Sequence, residues 1–209
     1  MSEGVAAWSR ACMALDLLAV DPVGLGGLTL RARSGPVRDT YLDLVEHLGS
    51  VARAHPMMPD EAFFGGVDIG ASLGTGQIVE TEGLLKTCDV LRLAMAERCP
   101  PSLAARLAAA IDAGDAPVLV LLDEGVEDER APMALSDRCA FHVHLDGIGR
   151  LEAVLPARKD VVAGKKPRLK KAGLEALVIA AARLGVTGLR APIFAARAAR
   201  ASALLAGRD

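Results

Sequence analysis

The chain has 209 residues, of which 52% are hydrophobic and only 3% aromatic, and its formal net charge is −2. That composition supplies an aliphatic, alanine-rich core for one domain, or for one domain with a small satellite, and excludes wholesale disorder. The charge gives no global pull toward nucleic acid or membrane, no apolar run reaches the roughly 18 residues of a spanning helix, and the acidic start Met1-Ser2-Glu3-Gly4 is unlike a signal peptide, so a cytoplasmic protein is expected.

In chain order, Val5, Trp8, Cys12, Leu15 and Ala19 recur at helical spacing and predict an amphipathic helix over 5–20, ended by Asp21-Pro22. Gly24-Leu25-Gly26-Gly27 is a turn, and a dinucleotide fingerprint would need a further glycine at Thr29. Residues 28–32 alternate, with Leu28, Leu30 and Ala32 on one face and Thr29, Arg31 and Arg33 near the other. They predict a strand with one face partly open or turned to a partner. A helix is expected over 40–54, carrying Tyr41, Leu44, Leu48 and Val51, and His55-Pro56 breaks it. Residues 61–85 are glycine-punctuated and irregular, and 90–95 form a second apolar run.

Pro100-Pro101-Ser102 opens a strong helix with Leu107 and Ile111 inward and Gly114 as its stop. Residues 117–122 are the best strand, of buried parallel type, followed by the acids Asp123, Glu124, Glu127, Asp128 and Glu129, which suit a solvated loop. A short helical piece over 132–138 leads to a strand over 141–145. After a basic, linker-like stretch, two Ala/Leu-rich helices over 172–184 and 192–205 close the chain. Alternating strands and helices imply an α/β layer fold with a parallel sheet and a small helical lid.

The segment Ala32-Arg33-Ser34-Gly35-Pro36-Val37-Arg38-Asp39 lies between strand and helix, the setting of a phosphate-binding P-loop. The pattern G-x-x-x-x-G-K-[ST] is broken at each key position: Ala32 and Val37 stand at the glycines, Arg38 at the lysine and Asp39 at the hydroxyl residue. Pro36 removes an N–H donor, Val37 obstructs close backbone approach, and Asp39 sets negative charge where a hydroxyl should hold Mg²⁺. On these residues alone, a ruined nucleotide site and an ordinary strand–turn–helix both stand.

Other signals compete. Gly70-Ala71-Ser72-Leu73-Gly74 fits G-x-S-x-G, the elbow of a serine hydrolase with Ser72 as nucleophile, although the residues before it are glycine-broken. His142 and His144 share a strand face and could ligate a metal, but no third ligand is evident and an exposed sheet face suits them. Cys12, Cys88, Cys99 and Cys139 are scattered without a C-x-x-C pair and read as reduced thiols rather than a zinc site. The basic run Lys165-Lys166-Pro167-Arg168-Leu169-Lys170-Lys171 lacks interleaved aromatics, so a solvated linker is preferred to a nucleic-acid contact.

Several segments together carry a resemblance. Leu18-Ala19-Val20-Asp21-Pro22 with Gly24 to Leu30, Gly65-Gly66-Val67-Asp68-Ile69, and Glu82-Gly83-Leu84-Leu85 are similar to elements of magnesium chelatase AAA+ subunits. The defective loop, Leu93-Ala94-Met95-Ala96-Glu97-Arg98, and Asp137-Arg138 followed by Phe141 to Leu145 resemble the D-subunit branch of that family, over about residues 10–207. The resemblance implies an AAA+ P-loop NTPase-like three-layer αβα sandwich over 1–156, a basic linker over 157–171 and a helical lid over 172–209. It places Gly35, Val37, Arg38 and Asp39 in a degenerate nucleotide loop, and Ala94 and Met95 where the family has its magnesium-binding acids. Asp123 lies near the sensor-1 position. Arg138 matches an arginine finger acting in trans, and Arg190, in Gly188-Leu189-Arg190, matches the sensor-2 position, with Arg197 its neighbour.

The family inserts Mg²⁺ into protoporphyrin IX in (bacterio)chlorophyll synthesis. The resemblance therefore implies a non-hydrolysing ring subunit that partners an ATPase I subunit and, indirectly, a porphyrin-binding H subunit. No tightly bound cofactor and no metal ligands are expected in this chain, Mg-ATP being held by the partner. D subunits continue into an acidic linker and an integrin-I-like domain, so residues 1–209 are expected to be an isolated module. The alternatives are an ATP-binding, chaperone-like AAA+ module and the Ser72 hydrolase.

Overall fold

The computed structural model describes residues 2–114, 116–155 and 167–208. Most of the expected basic linker, including Lys165 and Lys166, lies outside the described residues.

The chain opens with α1 (Glu3–Val20), whose first turn is capped by the Ser2 hydroxyl accepting from the Val5 N–H. The short α2 (Pro22–Leu25) follows and leads into β1 (Gly27–Arg31). Next come α3 (Pro36–Val45), a 3-10 turn at Glu46–Leu48, and β2 (Val51–Ala54). An excursion holds α4 (Asp60–Phe64), β3 (Gly66–Val67), α5 (Ile69–Thr75), β4 (Glu80–Thr81) and α6 (Leu84–Thr87). The layer pattern resumes with β5 (Val90–Leu93), α7 (Pro101–Ala113), β6 (Val118–Asp123), α8 (Met133–Ser136) and β7 (Phe141–His144). The last helices are α9 (Lys171–Arg183) and α10 (Arg190–Leu205).

Five parallel strands form one sheet in the order β2-β5-β6-β1-β7, and β3 pairs antiparallel with β4 apart from it. One face packs Leu28, Leu30, Val90, Val118, Val120 and Val143 against α1, α3 and Ala201 of α10. The other face packs Leu91, Leu93, Leu119 and Leu121 against Phe63, α7 and Leu135. Helices on both faces of a parallel sheet give the α/β layer fold read from the alternation and the three-layer sandwich that the resemblance implied. Trp8 anchors the first layer: its indole donates to the Val154 carbonyl at 2.7 Å and meets Tyr41 edge-on at 5.9 Å.

Three sequence expectations need correction. Residues 51–54 are a strand, not the end of a helix. The helix stops by Gly49, and Ser50 is tied by its N–H (2.8 Å) and hydroxyl (2.7 Å) to the Asp89 carboxylate at the foot of β5, which sets the β2–β5 register. Leu48 and Val51 still pack on the first core, so their helical spacing was satisfied by a helix end and a strand together. Second, β1 has no open face: Thr29 is buried and the strand lies between β6 and β7. Third, Ser72 lies inside α5 rather than at a strand-to-helix elbow, and its hydroxyl accepts from the Val79 N–H at 2.9 Å, closing the excursion.

Candidate functional site

Parallel strands expose their carboxyl ends together, and ligands of such sheets sit beyond those ends. Here that edge holds the loop 32–35, the start of α3, and the turns after β5 and β6. Two backbone approaches fix the other end of β1: a Cβ on Gly26 would overlap the Arg138 carbonyl, and one on Gly27 would overlap the Leu119 carbonyl. Gly26 and Gly27 are therefore demanded by packing beneath β1, away from the loop.

At the loop, Gly35 precedes α3 without a side-chain cap and Pro36 occupies the first turn. The Arg33 N–H is taken by the Asp146 carboxylate at 3.1 Å. Val37 packs against the core. Arg38 folds back over the loop, with its side chain only 13% exposed; it ion-pairs with Glu124 and donates to the Ser34 hydroxyl at 2.9 Å. Asp39 is 4.0 Å from the Arg38 Nε and mostly exposed. The Arg38 charge is thus neutralised by a carboxylate of the same chain.

The acidic turn after β6 is not uniformly solvated, which corrects the expectation for Asp123. Asp123 is 3% exposed and pairs with Arg31 at 3.1 Å. Its carboxylate also accepts from the N–H groups of Gly125 (3.0 Å) and Ala131 (3.1 Å), while Arg31 donates to the carbonyls of Gly125 (2.7 Å) and Glu129 (3.1 Å). A buried ion pair whose remaining acceptors are satisfied organises residues 123–131. The two arginines that suggested an open face thus differ: Arg31, at the end of β1, is consumed by this network, while Arg33, just past the strand, is exposed.

After β5, Ala94 and Met95 offer no carboxylate, and Met95 adopts a left-handed backbone at φ 49°. The nearest acid is Glu97, with a side chain 4% exposed, which accepts the Glu124 N–H at 3.1 Å. Asp39 alone, Ala94, Met95 and an arginine already paired make a donor set that does not fit a magnesium–triphosphate.

The two other candidate arginines lie at the opposite, amino-terminal end of the sheet. Arg138 precedes β7, and its guanidinium grips Asp112 through Nε at 3.0 Å and through Nη2, with a further bond to the Ala134 carbonyl at 2.6 Å. Arg190, at the start of α10, donates to the same Asp112 at 2.9 Å and to Asp137 at 3.2 Å. The Arg138 hydrogen bond, opposed by slight burial and reinforced by the Arg138 and Arg190 charges, holds the Asp112 carboxyl below its ordinary range. Arg197 reaches Asp21 at 3.7 Å. A five-residue strand separates this cluster from the loop, about 15 Å at roughly 3.3 Å per residue. The fold brings Arg138 and Arg190 together and keeps both from Arg38.

Sequence reasoning did not single out Asp112 and did not join Glu124 or Glu97 to a partner, because the partners lie 26, 86 and 27 positions away and only the sheet order brings them together. It also passed over a cavity of about 560 Å³ between α3 and the ends of β2 and β5, where Arg53, Arg92 and His55 converge. Among the described residues no group of three or more potential metal ligands occurs, His142 and His144 included. The four cysteines are free thiols, and among the described residues no helix is long and apolar enough to cross a membrane.

Comparison with known proteins agrees with this architecture. Residues 174–209 match the AAA lid domain family. Over 96% of its length the chain is 44% identical to the magnesium-chelatase 60 kDa subunit of Cereibacter sphaeroides, and over 95% it is 36% identical to that of Rhodobacter capsulatus. It spans 37% of the length of each of these relatives. Among solved structures, a putative ATPase from Cytophaga hutchinsonii superposes with a TM-score of 0.65 at 15% identity, covering 98% of this chain and 82% of that one. An MCM homologue from Methanopyrus kandleri gives 0.60 at 12% identity, covering 98% and 51%. The chain is an α/β protein of AAA type, and its curated homologues are magnesium-chelatase subunits.

Proposed function

We propose that this protein is the AAA+ module of a magnesium chelatase D subunit and that it hydrolyses no ATP itself. In this reading it joins a cytoplasmic ring with the ATPase I subunit. The ring acts with a porphyrin-binding H subunit to insert Mg²⁺ into protoporphyrin IX for (bacterio)chlorophyll synthesis.

The observation that carries the reading is the self-neutralised loop. Arg38 is spent on Glu124, and neither Ala94 nor Met95 can hold a metal. Two further features support it: the similarity to magnesium-chelatase 60 kDa subunits, and the position of Arg138 and Arg190 at the far end of the sheet from their own loop. Arginines so placed can meet a nucleotide only on a neighbouring subunit, where a finger stabilises charge developing on the transferred phosphoryl group. Arg138, positioned by Asp112, is the residue to offer that charge, and Arg190 beside it is the second. Gly35, Val37, Arg38 and Asp39 then serve packing and interface rather than catalysis.

The test is steady-state ATPase activity of the protein alone and mixed with an I subunit. The expected result is no turnover alone, a co-assembly with I subunit, and turnover in the mixture that falls about tenfold or more in Arg138→Ala. Magnesium-dependent ATP binding with turnover by the protein alone would overturn the reading.

A further inference from the structure

The cavity beside α3 contains a charge arrangement that the internal ion pairs do not resolve. Arg53 of β2 and Arg92 of β5 are register partners in the parallel ladder, so two guanidiniums project side by side from strands about 4.8 Å apart. Like charges opposite one another on neighbouring strands are destabilising. Arg53 has an exposed partner, Glu46, at 3.7 Å. Arg92 is half-buried and makes no hydrogen bond or ion pair with any described residue. Burial first, then the charges of Arg53 and Arg38 against the opposing effect of Glu46, pull its pKa down from the ordinary arginine value. Across the cavity, Arg38 keeps one buried N–H, on Nε, without a hydrogen-bond partner. His55 lines the same space.

The carboxylates of the cavity are Asp39, Asp43, Glu46 and Glu124. Glu124 is committed to Arg38 and Glu46 to Arg53. Asp39 and Asp43 are on the outward side of α3, with Asp43 exposed and the Asp39 side chain 66% exposed. They stand at the mouth and disfavour a polyanion, while the floor offers an unpaired guanidinium.

We propose that this cavity is a magnesium-independent oxyanion site, with the half-buried Arg92 as its principal cation and Arg53 beside it, that takes one compact phosphate-type anion. Arg92 lies on β5 just before Ala94-Met95, which bring no carboxylate to the cavity. The inference rests on the cavity's own residues and stands whether or not the chain works in a chelatase.

Isothermal calorimetry with sodium phosphate at constant ionic strength, with and without MgCl₂, tests it. Expected are binding that magnesium leaves unchanged, a loss of about tenfold or more in affinity in Arg92→Gln, and unchanged affinity in Arg98→Gln, a surface control. Adenosine monophosphate binding no tighter than phosphate assigns the site to the free ion, and tighter binding assigns it to a nucleotide's phosphoryl group. In phosphate-free buffer, Arg92→Leu should raise the melting temperature, because an unpaired half-buried charge is removed. No phosphate binding by the wild type, binding that requires magnesium, binding retained in Arg92→Gln, or a lowered melting temperature in Arg92→Leu would each overturn the proposal.

Discussion

The two ends of the sheet use arginine in opposite ways. At the carboxyl end Arg31 and Arg38 are largely buried and each is matched to its own carboxylate, Asp123 and Glu124, on the strand and turn next door. At the amino end Arg138 and Arg190 share Asp112, which is 45% exposed, and Arg190 also reaches the 52% exposed Asp137. A private, buried pair fixes backbone and is costly to disturb, because removing one partner strands a charge away from water. A shared, solvated carboxylate holds its arginines in place weakly and can yield them to a stronger anion. At the carboxyl end Arg31 and Arg38 are thus each held by an acid of the same chain, and among the described residues Arg92 alone is left without one, while at the amino end the arginines are held through carboxylates open to solvent.

That contrast can be broken in order of expected size. Asp123→Ala should destabilise the fold by about 3–5 kcal/mol, since it leaves Arg31 buried and frees the Gly125 and Ala131 N–H groups, and urea unfolding measures it. A loss under about 1 kcal/mol would mean that the carboxyl end is not fixed by this pair. Glu124→Gln should cost about 1.5 kcal/mol in the same assay, because Arg38 keeps its Ser34 contact but loses a charged acceptor.

At the amino end, Asp112→Asn should cost less than about 1 kcal/mol at neutral pH, discounted for its exposure to solvent. The sign with pH follows from its lowered carboxyl pKa. The wild-type advantage is present above the ordinary value of 3.8 and disappears as the pH falls through the lower folded value, so melting curves of wild type and variant should converge in acid. Convergence on raising the pH instead would contradict the pairing.

The smallest effect concerns Cys139, next to Arg138. Burial pushes its thiol up to about 12, so iodoacetamide at pH 8 should modify the half-buried Cys88 well before it. The Asp112→Asn variant should leave the Cys139 rate unchanged, because the thiol is covered by packing and donates to the Leu135 carbonyl rather than depending on the ion pair. Faster labelling in the variant, read by mass spectrometry, would tie the packing of that end to its arginines.

The strands β1, β5 and β6, the helix α7 with its Gly114 stop, and the closing helices were legible in the sequence because hydrophobic period and capping are local signals. The strand β2 was not, since four residues after a helix end carry too little pattern and its identity rests on the Ser50–Asp89 tether. The loop 32–39 was legible position by position as a departure from the P-loop pattern, because each position of that pattern has a known task. Its closure was not, because Glu124 is 86 positions from Arg38. For the same reason Asp123 read as one of several surface acids until β6 was seen beside β1.

By itself the sequence determined the layer architecture and the departure of residues 32–39 from the P-loop pattern. Which charges are spent and which remain available was decided only by the tertiary structure. Ion pairing depends on a few ångströms between residues that the sheet order brings together, and no local pattern encodes that distance.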